Sequence, residues 1–228
     1  MSYVAFDFET SGLPRVNSNT KVTLETLPNL DTCRAVSLSG ACFSPSGRLL
    51  KTFDAIIRPD DFQIDESAIA IHGITQERAL REGKPFVEVF RKFINFIGPT
   101  IKVLVAHNAI FDENVLRSEM MRHGLDTSQI QKFNVKCTLE LNRRQSMCSM
   151  KLTTLYTKIF GETLENAHSS LADSIACGKI YHHFTSQNDT TAMRFAIKNH
   201  RFVFSSPSTT YDLKHVSKKR KTSLQDST

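Results

Sequence analysis

Several protein classes are excluded by what this 228-residue chain lacks. Its five cysteines, Cys33, Cys42, Cys137, Cys148 and Cys177, are odd in number, and no two are spaced C-x-x-C. That pattern suits neither a disulfide framework nor a zinc knuckle, and it fits a reducing, intracellular compartment, cytoplasm or nucleus. No stretch approaches the roughly 18 apolar residues a membrane-spanning helix needs. The N-terminus has no basic stretch followed by an apolar one, and an acid arrives by Asp7, so neither a signal peptide nor a membrane partner is expected. Internal repeats are absent. What is present, 40% hydrophobic and 23% charged residues, is the composition of an ordinary globular protein. The length allows one well-buried domain plus an extension.

The net charge of +6 is unevenly placed. From Asp212 onward there are five basic residues (Lys214, Lys218, Lys219, Arg220 and Lys221) against Asp212 and Asp226, so this tail carries half of the excess. The body is only mildly basic, and charge alone makes a nucleic-acid partner admissible without establishing one. The Lys218–Lys221 cluster reads equally as a weak nuclear signal, a phosphate contact or a solvated end.

Periodicity organises the rest. Residues 3–10 read as a strand, and the breaker G-L-P-R-V-N-S-N-T follows. Apolar stretches over 34–43 and 49–57, separated by S-P-S-G-R, read as a hairpin, so the first three strands form a meander. Apolar residues at 86, 89, 90, 93 and 97 have helical spacing. K-V-L-V-A (102–106) reads as a short buried strand, residues 110–122 as a helix with Asn108 as its cap, and 151–160 as a helix stopped by Gly161. A final long helix is expected from Ser170 to about Phe184, with 192–204 apolar enough for one more. The expected organisation is an α/β domain over 1–185 and a C-terminal extension over 186–228, with 205–228 a disordered basic tail.

The first strand raises a chemical question. In F-D-F-E-T-S-G-L, Val4, Phe6 and Phe8 share one face, and Asp7 and Glu9 share the other. Two carboxylates side by side on a rigid element repel unless a cation sits between them, and Mg²⁺ or Mn²⁺ prefers such oxygen ligands. Further acids are available at Asp112, in A-H-N-A-I-F-D, and at Asp173, in A-H-S-S-L-A-D, where His168 precedes it by five positions. Each has a plainer reading as an acid in a helix's first turn. His168 by itself reads as a surface histidine.

The order of these motifs resembles the DEDDh (DnaQ-like) 3′→5′ exonuclease family of the ribonuclease H-like superfamily. A-I-H-G-I-T (70–75) and L-x-x-L-x-x-x-x-F-G (152–161) are similar to two further segments of that family, and the resemblance covers about residues 3–184. The one departure in the first motif is Ser11, where the family usually has Thr. The resemblance implies a mixed central sheet, three antiparallel strands plus parallel ones, flanked by helices. It implies that Asp7, Glu9, Asp112 and Asp173 hold two Mg²⁺ (or Mn²⁺) ions, with Asp7 bridging them, and that His168 is the general base. Two ions roughly 3.5–4 Å apart clamp the attacking and leaving oxygens of a phosphodiester. An imidazole titrating near pH 6.5 suits proton removal at neutral pH, so activity is expected to fall below about pH 6.5.

For substrate binding the resemblance implies Thr10 and Leu13 beside the terminal nucleotide, Ile71 and His72 against its nucleoside, and Asn108 and Phe111 lining the pocket. Core packing (Leu13, Ile71, Phe111) and turn or capping roles (His72, Asn108) are equally open. The implied substrate is a single-stranded or frayed 3′ end, DNA first and RNA as the alternative. A silent docking module is a third class, one that predicts eroded ligands. No polymerase domain fits in 228 residues, so proofreading would need a separate polymerase chain. The segment 14–33 either borders the site or is a tolerated surface insertion.

Overall fold

The structure is a computed structural model that describes residues 1–16, 22–146 and 150–200. Residues 205–228, including Lys218–Lys221, lie outside the described residues. The chain divides into two compact units, Met1–Asn188 and Asp189–Thr228, and the sheet and the site described below lie in the first.

Five strands form one sheet: β1 (Tyr3–Thr10), β2 (Ala35–Phe43), β3 (Leu49–Ile56), β4 (Val103–Ala106) and β5 (Asn134–Cys137), in the order β3-β2-β1-β4-β5. The β1-β2-β3 side is antiparallel, as the hairpin signals predict, and β1-β4-β5 is parallel. The result is a mixed α/β sheet flanked by helices. Those helices are α1 (Glu66–His72), α2 (Gln76–Glu82), α3 (Phe86–Ile97), α4 (Ala109–Arg122), α5 (Ser128–Gln131), α6 (Thr138–Ser146), α7 (Leu152–Phe160) and α8 (Ser170–His200). Among the described residues, no helix is long and apolar enough to cross a membrane.

The alternation of β1 explains the layers. Val4, Phe6 and Phe8 enter one core with Phe86, Val89, Phe90 and Phe93 of α3 and Val115, Leu116 and Met120 of α4. Each such side chain contributes about 1.5–3 kcal/mol by leaving water. Tyr3 and Ala5 point to the other face, against Phe43, Val105 and Cys177 of α8. There α8 approaches the sheet closely: a methyl group on Gly178 would run into the Phe43 ring, and Tyr3 Oη donates to the Gly178 carbonyl at 3.0 Å. That close seat fixes the face onto which β1 turns its two acids.

The structure departs from the periodicity reading in two ways. The last helix does not end near Phe184 but runs on to His200, taking in the first part of the 192–204 segment. No glycine or proline interrupts 185–200, and the Thr185 and Ser186 hydroxyls turn back onto the carbonyls of Tyr181, His182 and His183, satisfying themselves within the helix. Strand β5 and helices α1, α2, α5 and α6 are additions. The first two helices have seven residues each and bury only Ala68 and Ala79, too little for a 3.6-residue period to show.

Candidate active site

Three elements deliver four acids to one place. Asp7 and Glu9 stand on the α8 side of β1, opposite Ser39 and Ser37 of β2. Asp173 comes from the first turn of α8. Carboxylate oxygens of Asp7, Glu9 and Asp173 lie within 4.8 Å of one another. Asp112 is not one of these three but adjoins them, and its charge acts on both Asp7 and Glu9. Its placement follows from local geometry. Asn108, at φ 64°, turns the chain from β4 into α4 in a left-handed step, and Asp112 in the first helical turn accepts the Phe8 backbone N–H at 3.2 Å. Asn108 occupies the cap position, yet its side chain makes no capping hydrogen bond.

Burial and mutual repulsion disfavour ionisation throughout the cluster. Asp7 is raised well above the usual carboxylate range by burial, then by the charges of Asp112, Glu9 and Asp173. Glu9 is pushed up to about 8 by burial and by Asp173 and Asp112. Asp112 and Asp173 are raised by burial as well, the second opposed by the backbone N–H and the charge of His168. Acids so placed are suited to an external cation. The donor set fits one: Asp173 Oδ2 accepts the His168 N–H at 3.3 Å, while its Oδ1 is buried with no hydrogen-bond partner. All four acids are hard oxygen donors of the kind Mg²⁺ and Mn²⁺ take.

His168 sits in a left-handed conformation (φ 67°), two residues after Asn166 in the same region (φ 53°). Its side chain is exposed, near enough to Asp173 for its charge to act there. Among the residues expected to meet substrate, Leu13 is 79% exposed and Ile71 58%, so neither packs in the core. Phe111 is half-buried against the main core. Thr10 Oγ1 donates to the Gly12 carbonyl at 2.9 Å. His72 Nδ1 accepts from Ile74 N at 3.0 Å; burial lowers its pKa, against the influence of the nearby Thr10 backbone. Thr10 and His72 are thereby neighbours across the turn that carries Leu13.

The described part of the 14–33 segment is tied to that turn: Thr32 Oγ1 donates to the Leu13 carbonyl at 2.7 Å, and Ser11 Oγ donates to the Thr32 carbonyl at 3.2 Å. Sequence reasoning passes over the residue that closes this arrangement. Arg34 exchanges hydrogen bonds with Ser11 through its backbone, and its guanidinium holds buried Glu119 of α4 at 2.7 and 3.3 Å. The available signal was Glu119 itself, an acid on the Val115–Leu116–Met120 stripe of α4.

Comparison with known proteins places this geometry in a family. The RNase_T family, described as exonuclease, matches residues 4–181. The chain is 29% identical over 200 residues to a PolC-type DNA polymerase III of Pediococcus pentosaceus and 32% identical over 181 residues to that of Lactococcus lactis, covering 87% and 78% of this chain. It spans only 12% and 10% of those relatives' length. Among solved structures, the fold is similar to the nuclease domain of 3′hExo, a DEDDh family member bound to rAMP (TM-score 0.64, 17% identity, 82% of this chain and 92% of that one). It is also similar to E. coli exonuclease I in complex with a dT13 oligonucleotide (TM-score 0.65, 18% identity, 88% of this chain and 44% of that one). The chain belongs to the RNase_T exonuclease family.

Proposed function

We propose that this exonuclease is a two-metal 3′→5′ enzyme that removes nucleoside 5′-monophosphates from the 3′ ends of DNA. The observation that carries the reading is the set of half-buried carboxylates of Asp7, Glu9 and Asp173, with oxygens within 4.8 Å of one another and Asp112 beside them. Held by these four acids, Mg²⁺ or Mn²⁺ would supply Lewis-acid stabilisation of the oxygens that attack and leave phosphorus. The chain's own side chains do the rest. His168, exposed beside Asp173, takes the proton of the attacking water. Leu13 and Ile71, apolar and open to solvent, lie against the terminal base and sugar. Thr10, His72, Asn108 and Phe111 shape the pocket around them. Such contacts recognise an end rather than a sequence.

DNA is favoured because the relatives in sequence are DNA polymerases, and a polymerase supplied from outside these 228 residues is the partner such a role implies. RNA is the second reading, resting on the structural likeness to a nuclease bound to rAMP. The test is 5′-labelled single-stranded DNA and RNA of one sequence, each with Mg²⁺ and with EDTA, beside Asp7→Ala. A Mg²⁺-dependent ladder shortening from the 3′ end, faster on DNA and absent in the variant, is expected. A faster RNA ladder would reassign the substrate. No ladder on either substrate, with Mg²⁺ or with Mn²⁺ in its place, would overturn the enzyme reading.

A further inference from the structure

The acid cluster poses a mechanical problem. Asp173, at the start of α8, is repelled by Asp7 and Glu9 on β1, and that repulsion pushes the helix start off the sheet. Something must hold it there. The first residue of α8, Ser170, is 5% exposed, and its hydroxyl lies 2.9 Å from Ser37 Oγ and 2.7 Å from Ser39 Oγ. These two serines stand on β2 directly opposite Glu9 and Asp7. Ser39 Oγ in turn donates to the Asp54 carboxylate of β3 at 2.6 Å, the short distance of a charge-assisted bond.

The proton inventory gives this chain one direction. Each serine has a single O–H. Ser39 spends its proton on Asp54, so towards Ser170 it only accepts. Ser170 therefore donates to Ser39 and accepts from Ser37. All three buried hydroxyls are satisfied in one line, Ser37 to Ser170 to Ser39 to Asp54, with a carboxylate as the final acceptor.

We propose that Ser170 is a positioning residue. Bonded on both sides to β2, it holds the start of α8 on the sheet and so keeps Asp173 and His168 in register with Asp7 and Glu9. The inference rests on the metal-site reading above and adds residues that bear no metal and touch no substrate. Outer groups that orient ligands typically account for 10–100-fold in metal affinity.

The experiment measures Mn²⁺ affinity of the full chain by EPR, thermal stability in EDTA, and the Mg²⁺ dependence of cleavage, for wild type, Ser170→Ala and Asp54→Ala. Asp54 is exposed, so its variant folds even should Ser170→Ala fail to. The expected result is an Mn²⁺ affinity about 10-fold weaker in Ser170→Ala, a smaller loss in Asp54→Ala, and a cleavage midpoint in Mg²⁺ that moves in parallel while oligonucleotide KM moves less. Folded variants that melt earlier yet bind Mn²⁺ as wild type does would reduce the line to a structural role and overturn the proposal. Wild type that neither binds Mn²⁺ nor cleaves would overturn the metal-site reading, and this inference with it.

Discussion

Helix α4 carries two acids, Asp112 and Glu119, that are each 2% exposed and lie two turns apart. Their surroundings act on them in opposite directions. Around Asp112 stand Asp7, Glu9 and Asp173, with no basic side chain in hydrogen-bond contact among the described residues, and all four acids are raised. Around Glu119, burial also works to raise the pKa, but His123 and Arg34 hydrogen bonds and the Arg34 and Arg122 charges outweigh it, and the pKa is lowered. Arg34 reaches on to Asp61 at 3.0 Å, and Arg122 reaches Asp31 at 2.7 Å, so the second cluster staples the 22–34 segment to α4 with charges the chain supplies itself. The difference separates two uses of a buried carboxylate. One is completed by the protein and serves the fold. The other is left incomplete, as a site for an outside cation must be.

Removing charge from the incomplete cluster sharpens the contrast most. Asp112→Asn keeps an oxygen for the Phe8 N–H and discards one of the repelling charges. Metal-assisted charge stabilisation is worth several kcal/mol, so a loss of about 4 kcal/mol predicts about a 10³-fold fall in kcat/KM. The same variant should melt no earlier than wild type in EDTA. A marked drop in Tm together with the lost activity would break the contrast, because the Asp112 charge would then be serving the fold.

The mirror experiment is Glu119→Gln. It leaves the Arg34 guanidinium, only 8% exposed, without its carboxylate partner. Breaking a buried pair from one side costs about 3–5 kcal/mol, and chemical denaturation should show a loss near the lower bound because glutamine still accepts one hydrogen bond. Stability within experimental error of wild type would mean that Glu119 is as unpaired, in energetic terms, as Asp112.

Much of this architecture was legible beforehand, for identifiable reasons. Strands β1 to β3 and helices α3 and α7 show as apolar periods of 2 or 3.6 bounded by glycine or proline, and α3 spans Phe86–Ile97 as its spacing predicts. The acids that meet at the site were picked out because three short motifs occur in a fixed order along the chain. Other features had no such signature. Strand β5, N-V-K-C, is four residues long and has no alternation to read. Arg34 and Glu119 are 85 residues apart, and Ser37 and Ser170 are 133 apart. A lone polar residue inside an apolar pattern shows that some partner exists without saying which. The alternating serines of A-V-S-L-S-G-A interrupt an apolar strand, and the seat of α8 gives them a purpose.

The smallest effect comes from pH, and the two clusters answer it with opposite signs. Carboxylates in an unfolded chain titrate near pH 4. Glu9 in the folded protein titrates near 8, with Asp7, Asp112 and Asp173 also raised. Between those values the metal-free folded state holds more protons than the unfolded one, so these acids make stability fall as pH rises through the window. Glu119 has the opposite sign: its contribution is present above the unfolded value and disappears as pH falls through its lowered folded pKa. Thermal melts in EDTA between about pH 5.5 and 8.5 should therefore show a decline toward alkaline pH that is shallower in Glu9→Gln. Mg²⁺ should flatten the wild-type decline in the same way, since a cation among the acids stabilises their ionised forms. Equal slopes for wild type and Glu9→Gln would mean that Glu9 ionises as readily as an exposed acid. The two clusters would then differ in their partners but not in their charge state.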